Sequence, residues 1–282
     1  MTLSEKPKEF DKLAFELGTQ VHKHTIQFLA KGGKYGHKPY GSGILVFADN
    51  KCLIITAAHV TEDFDNTPIF VSSNKGIIPI VGDLRETDLS KDKTTDLAYI
   101  ILDDAIASIL VQTYDFLPIS KIRHSHIPVN ANQYLVVGYP EINIRAVKEE
   151  KKIYAGSSIF LLTMSKEEVY EHYKFDKHKD YILDFAGKGI DLQTDEKSGK
   201  IDDPYGMSGC GLWLLTEKPN ADTFQLQYQL IGIMTEFRKG KYHCLIGNRI
   251  EIVMSALIDI EKFNIKTLIT PNMGFATMLA DE

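Results

Sequence analysis

Apolar residues follow two different spacings along the chain. Near the N-terminus, Phe10, Leu13, Ala14, Leu17 and Val21 recur every third or fourth residue, which predicts an amphipathic helix over 5–21 with Ser4 as a candidate cap. From Thr25 onward, short apolar or alternating runs take over at 25–30, 43–48, 52–57, 69–71, 77–81 and 97–102, with Gly, Pro, Asn and Asp marking the breaks. A second set follows at 134–137, 153–162, 181–185, 212–215, 229–234 and 243–246. The segment 103–132 between the sets has mixed polarity and two prolines and reads as a connection with one short helix. Helical spacing returns over 249–263 through Ile252, Val253, Ala256, Leu257 and Ile260. Strands at such intervals predict an all-β fold with few helices, made of two six-stranded antiparallel barrels, rather than alternating strands and helices. The expected divisions are a helical extension 1–22, a first barrel 23–125, a second barrel 126–263 and a tail 264–282. The charged stretch 165–179 is an insertion in the second barrel, where Glu167, Glu168 and Lys174 predict an exposed helix.

Composition narrows the class of protein. The 44% hydrophobic and 25% charged content is that of an ordinary soluble globular chain. A net charge of −6 provides no basic footprint, so nucleic acid is not expected as a partner. No apolar run reaches the roughly 18 residues of a membrane span, and the charged N-terminus lacks a signal-peptide core. The three cysteines, Cys52, Cys210 and Cys244, are odd in number and lack metal-site spacing, which predicts free thiols and a cytoplasmic location. His22-Lys23-His24 and His124-Ser125-His126 have no acidic or cysteine partner at a ligand spacing, and alternate residues also share one strand face, so neither metal nor cofactor is expected. Gly32-Gly33-Lys34-Tyr35-Gly36 lacks the phosphate-loop spacing, and 148–152 reads as a solvated turn.

Three places carry candidate chemistry. Pro204-Tyr205-Gly206-Met207-Ser208-Gly209-Cys210-Gly211 is a glycine-rich turn opening into the apolar run Leu212-Trp213-Leu214-Leu215. Glycines there let backbone N–H groups converge beside a hydroxyl, the arrangement acyl transfer needs, although a serine in such a turn also serves simply as a turn residue. His59 ends the apolar run at Thr56-Ala57-Ala58-His59 and is read either as a base or as a half-buried, hydrogen-bonded histidine. Asp96 opens the run Asp96-Leu97-Ala98-Tyr99-Ile100, where it either caps a turn or fixes the tautomer of an imidazole.

Base, acid and nucleophile fall in the order His59, Asp96, Ser208. With Gly41-Ser42-Gly43, Val136-Val137-Gly138-Tyr139-Pro140 and Gly206-Met207-Ser208-Gly209, the chain resembles the trypsin-like (chymotrypsin-fold) serine peptidases over residues 25–257. The glycine-serine-glycine opening and unpaired cysteines are closer to the bacterial Deg/HtrA-type protease domain, here without a PDZ domain. The resemblance implies a serine endopeptidase with a triad of His59, Asp96 and Ser208 and an oxyanion hole made by the N–H groups of Gly206 and Ser208. It implies a peptide or protein substrate laid along the strand ending at Met234-Thr235-Glu236-Phe237, with Thr235 and Glu236 in contact. It also puts Asp202, six residues before Ser208, at the base of a specificity pocket for Lys or Arg; Asp202-Asp203-Pro204 is equally a solvated turn. The chain departs from the family in three places. Met207 replaces the aspartate that secreted members pair with a freed N-terminus, which implies activity without such processing and leaves control to loop ordering or a regulatory protein partner. Cys210 replaces a glycine, and the interval from Asp96 to Ser208 is lengthened by the 165–179 insertion. The alternative reading is a chymotrypsin-fold module that has lost turnover and binds peptides or partner proteins.

Overall fold

Many of the strands are continuous apolar runs because both of their faces are buried. In the computed structural model, described here for residues 6–32, 36–62, 64, 66–92, 94–127, 133–147, 152–187, 189–191, 204–218 and 224–265, alternate side chains of one strand enter different cores. The chain begins with α1 (Lys6–His22) and continues through β1 (Thr25–Lys31), β2 (His37–Ala48), β3 (Lys51–Thr56), β4 (Phe70–Ser73), β5 (Gly76–Pro79), β6 (Gly82–Glu86) and β7 (Ala98–Leu102). The connection holds α2 (Asp104–Leu110) and β8 (Leu117–Pro118). Then follow β9 (Tyr134–Gly138), β10 (Ile144–Val147), β11 (Lys152–Ala155), β12 (Ser158–Leu162), α3 (Glu167–Tyr173), β13 (Asp180–Asp184), β14 (Ile190–Asp191), β15 (Gly211–Glu217), β16 (Leu226–Arg238), β17 (Cys244–Arg249) and α4 (Ile250–Asp259).

The first curled sheet runs β5-β4-β1-β2-β3-β7-β6, with β8 added parallel to β2, and the second runs β13-β17-β16-β15-β9-β12-β14. Leu45, Ile54 and Ile100 point into the first barrel, and Tyr134, Val136, Leu212 and Leu214 into the second. Their neighbours Ile44, Val46, Leu53, Ile55, Leu135, Val137 and Trp213 point the other way, into one shared core closed by α1 and α4. Burying a side chain of this size contributes about 1.5–3 kcal/mol, and the residues of the shared core contribute it only when both barrels are in place.

Details differ from the sequence expectation. The run 153–162 is two strands broken at Gly156, because β11 pairs with β10 while β12 joins the main sheet. β6 was not expected; its residues are half-exposed and polar, and an edge position satisfies them. Helix α3 is not wholly exposed. It buries Val169 and Tyr170, and the Ile182 N–H donates to the Tyr170 hydroxyl at 2.8 Å. Ser4 and the turn residues 148–151 lie outside the described residues, as does the tail from 266 onward.

Candidate active site

β3 ends at Thr56, and a single 3-10 turn over Ala58–Val60 lifts His59 out of the sheet. Ala57, Ala58 and Val60 are buried, so the turn is pinned beneath the imidazole. Asp96 grips His59 twice: Oδ1 accepts the backbone N–H at 2.9 Å, and Oδ2 meets ring Nδ1 at 2.6 Å. A carboxylate on Nδ1 places the proton there and leaves Nε2 as the free base. Burial works against the imidazolium, but the Asp96 hydrogen bond and the charges of Asp96, Glu62 and Glu236 outweigh it, and the His59 pKa is raised above 6.5.

The 204–211 turn orders its own N–H groups. Met207 N–H donates to Pro204 O, Gly209 N–H to Met234 O and Cys210 N–H to Met207 O. Among the described residues nothing accepts from the N–H of Gly206 or of Ser208. The carbonyls of the same two peptide groups are tied, Tyr205 O by Glu141 N–H at 2.8 Å and Met207 O by Cys210 N–H at 3.0 Å. A planar trans peptide points its N–H opposite its C=O, so fixing the carbonyls fixes both free donors. Gly206 has φ +91 and lies against the Tyr139 carbonyl, where a Cβ would come within 2.7 Å. Ser42, fully buried on β2, joins the first barrel to this turn. Its N–H donates to Ser208 O at 2.7 Å and its Oγ–H to Gly206 O at 3.0 Å. Ser208 is half-buried, and no hydrogen bond joins its Oγ to His59 among the described residues. Met207 is buried in the second barrel's core.

Thr235 and Glu236 line a cleft of about 590 Å³ together with His59, Thr94, Asp96 and Phe175. Past Met234, β16 pairs only with β17, since β15 ends opposite Ile233. The strand edge toward the cleft therefore has no partner among the described residues. Asp202 lies outside the described residues. Three of the four paired histidines are engaged individually, His22 Nε2 with the Tyr139 hydroxyl, His24 with Asp115 O and the Tyr228 hydroxyl, and His126 Nε2 with the Tyr134 hydroxyl, while His124 Nδ1 is buried without a hydrogen-bond partner among the described residues.

Two further residues, Asn248 and Asp180, sit behind the His59–Asp96 pair, and reasoning from sequence passed over both. Asn248 Oδ1 accepts the Asp96 N–H at 2.7 Å, and its Nδ2 donates to Asp180 Oδ1 at 2.7 Å. The available signal was a polar residue inside the apolar run of β17, which demands partners once buried. Asp180 is fully buried, and burial lifts its carboxyl to about 7. The folded state then keeps a proton that the unfolded chain releases from about pH 4 upward. The stability this contributes is complete below about pH 4 and is lost as pH rises toward 7. Asp180→Asn, which cannot ionise, is expected to gain about 2–4 kcal/mol on wild type in urea between pH 4 and pH 8. A difference between the two proteins that does not vary with pH would assign the ionisation elsewhere.

No protein-family model and no characterised protein sequence matches the chain. Similar folds occur among solved structures. A thermostable serine protease, AL20, from an extremophilic microorganism aligns with TM-score 0.45 at 13% identity, over 80% of this chain and 91% of its own. The MamO protease domain of Magnetospirillum magneticum gives 0.45 at 13% over 84% and 97%. A protein designated HBP gives 0.52 at 11% over 85% and 91%. At such identities the likeness is one of fold: two curled antiparallel sheets in the double-barrel arrangement of the chymotrypsin-type serine proteases.

Proposed function

We propose that the protein is a serine endopeptidase in which Ser208 is the nucleophile, His59 the general base and Asp96 its orienting acid. The observation that carries this reading is the pair of unpartnered, carbonyl-anchored N–H groups of Gly206 and Ser208 on the turn that bears the serine. In the proposed reaction Ser208 Oγ bonds to the scissile carbonyl carbon as its proton passes to His59 Nε2. The carbonyl oxygen becomes an oxyanion held by the two N–H donors. The C–N bond then breaks, His59 gives the proton to the leaving amine, and water enters by the same route to release the acyl group. The free edge of β16 at Thr235 and Glu236 receives the substrate main chain as an added strand, and Asp202 takes a Lys or Arg side chain on the acyl side. The unpaired cysteines and the Gly41-Ser42-Gly43 opening support a place near the Deg/HtrA-type protease domains.

One observation favours the second reading, a module that binds peptides without turnover: the missing hydrogen bond between Ser208 Oγ and His59. Such bonds are often long in unliganded enzymes and tighten with substrate. A fluorophosphonate probe separates the two. The peptidase reading expects stoichiometric labelling at Ser208 in wild type and none in Ser208→Ala. A folded wild type that stays unlabelled while binding peptide makes the second reading the correct one.

A further inference from the structure

Asp96 stands outside regular structure, two residues before β7, and among the described residues its carboxylate has no hydrogen-bond partner except His59. Its aim therefore depends on what holds its main chain. The segment 94–97 is held alternately from two sides. Toward the first barrel, Thr87 Oγ1–H donates to Thr95 O at 2.6 Å, and the Leu97 N–H donates to Thr87 Oγ1 at 3.1 Å. Toward the second barrel, the Asp96 N–H donates to Asn248 Oδ1 at 2.7 Å, and Asn248 Nδ2–H donates to Thr94 O at 2.8 Å. One side-chain amide thus does what a neighbouring strand would do. The bond from Nδ2 to Asp180 fixes its direction, since two acceptors on one side and one donor on the other suit only one orientation of the amide. Asn248 is fully buried and lies between β13 and β16, paired with Asp180 on one and Ile233 on the other, so it is anchored in the sheet interior. The Lys179–Asp92 ion pair at 2.8 Å also bridges the barrels, and Asp92 accepts the Thr94 N–H at 2.9 Å and the Thr95 hydroxyl at 3.0 Å, but the Asp96 N–H itself is held by Asn248.

We propose that Asn248 is a positioning residue of the site: from the second barrel it holds residues 94–96 of the first so that the Asp96 carboxylate meets both N–H groups of His59. The kinetic consequence rests on the peptidase reading; the effect on His59 itself does not.

The test compares wild type with Asn248→Ala, and with the size-conserving Asn248→Leu should the first fail to fold. Proton and carbon NMR without substrate follow the His59 ring titration and its Nδ1 proton, which a short hydrogen bond to Asp96 moves far downfield. His59 is faced by Asp96, Glu62 and Glu236. Among the described residues Asn248 is hydrogen-bonded to the first of these and to neither glutamate, so loss of its hold lowers the His59 pKa and moves the Nδ1 resonance upfield. In turnover, kcat is expected to fall about 100-fold with KM within roughly twofold, and the acid limb of kcat/KM moves to lower pH. A folded variant whose His59 titration and Nδ1 resonance match wild type overturns the proposal. A wild type that neither labels nor cleaves overturns the peptidase reading instead, and the NMR comparison still decides the role of Asn248.

Discussion

If the protein is the proposed peptidase, replacing His59 with alanine is expected to slow peptide hydrolysis by roughly a million-fold, because base and nucleophile act as a unit and loss of either removes nearly all of their joint effect. The fold should survive. The imidazole is 39% exposed, so solvent screening holds the contribution of its charged bond to Asp96 to about 1 kcal/mol. That contribution depends on pH in a definite direction. The folded pKa of His59 lies above 6.5, so the pair's stabilisation is complete below pH 6.5 and is lost as pH rises through the folded value. The stability deficit of His59→Ala should therefore be larger at pH 6 than at pH 9. Single-turnover cleavage of an unstructured protein, with urea unfolding at both pH values, tests the two halves together. Cleavage within tenfold of wild type would remove His59 from the mechanism.

Gly209→Ala is expected to cost the fold at least about 3 kcal/mol. Three constraints meet at this residue. Its φ of +89 is a conformation that other residues adopt only with strain. A Cβ would overlap both the Ser42 carbonyl oxygen and Thr56 Oγ1, which are themselves hydrogen-bonded to each other. Its N–H is committed to Met234 O at 2.7 Å, so the turn cannot rotate away. Gly76→Ala is the control: φ there is +99, but nothing lies within 4 Å of the added methyl, and the cost should stay near the 1–2 kcal/mol of the backbone conformation alone. Urea midpoints of the two variants decide. Equal midpoints would mean that the contact with Ser42 carries no strain.

Much of this architecture was legible because burial on both faces leaves an unmistakable mark, an uninterrupted apolar run such as Leu53-Ile54-Ile55 or Leu212-Trp213-Leu214. Edge elements leave no such mark. β6, Gly-Asp-Leu-Arg-Glu, belongs to the sheet through main-chain pairing that its side chains do not announce. His59, Asp96 and Ser208 stood out because local chemistry sets them at the ends of apolar runs, in a turn or beside glycines. Asn248 did not, since its meaning lies in a partner 152 positions away, and no local pattern records a distant hydrogen bond. Ser42 was visible within a glycine pair, but its two hydrogen bonds to the distant residues Gly206 and Ser208 appear only in three dimensions.

That same distance between Asp96 and Asn248 sets a clock on the protein's synthesis. Chains grow at about 5–20 residues per second, so the 152 positions separating the two take roughly 8–30 s to make. Throughout that interval the 94–96 segment lacks the strand that carries Asn248, and for most of it Ser208 does not yet exist. A chain in this condition has His59 and Asp96 but neither Ser208 nor the Asn248 amide that bonds the Asp96 segment. The hydrogen bonds from Asn248 to residues 94–96 can form only once the last strand of the second barrel has been made, so this corner of the molecule is among the last to close.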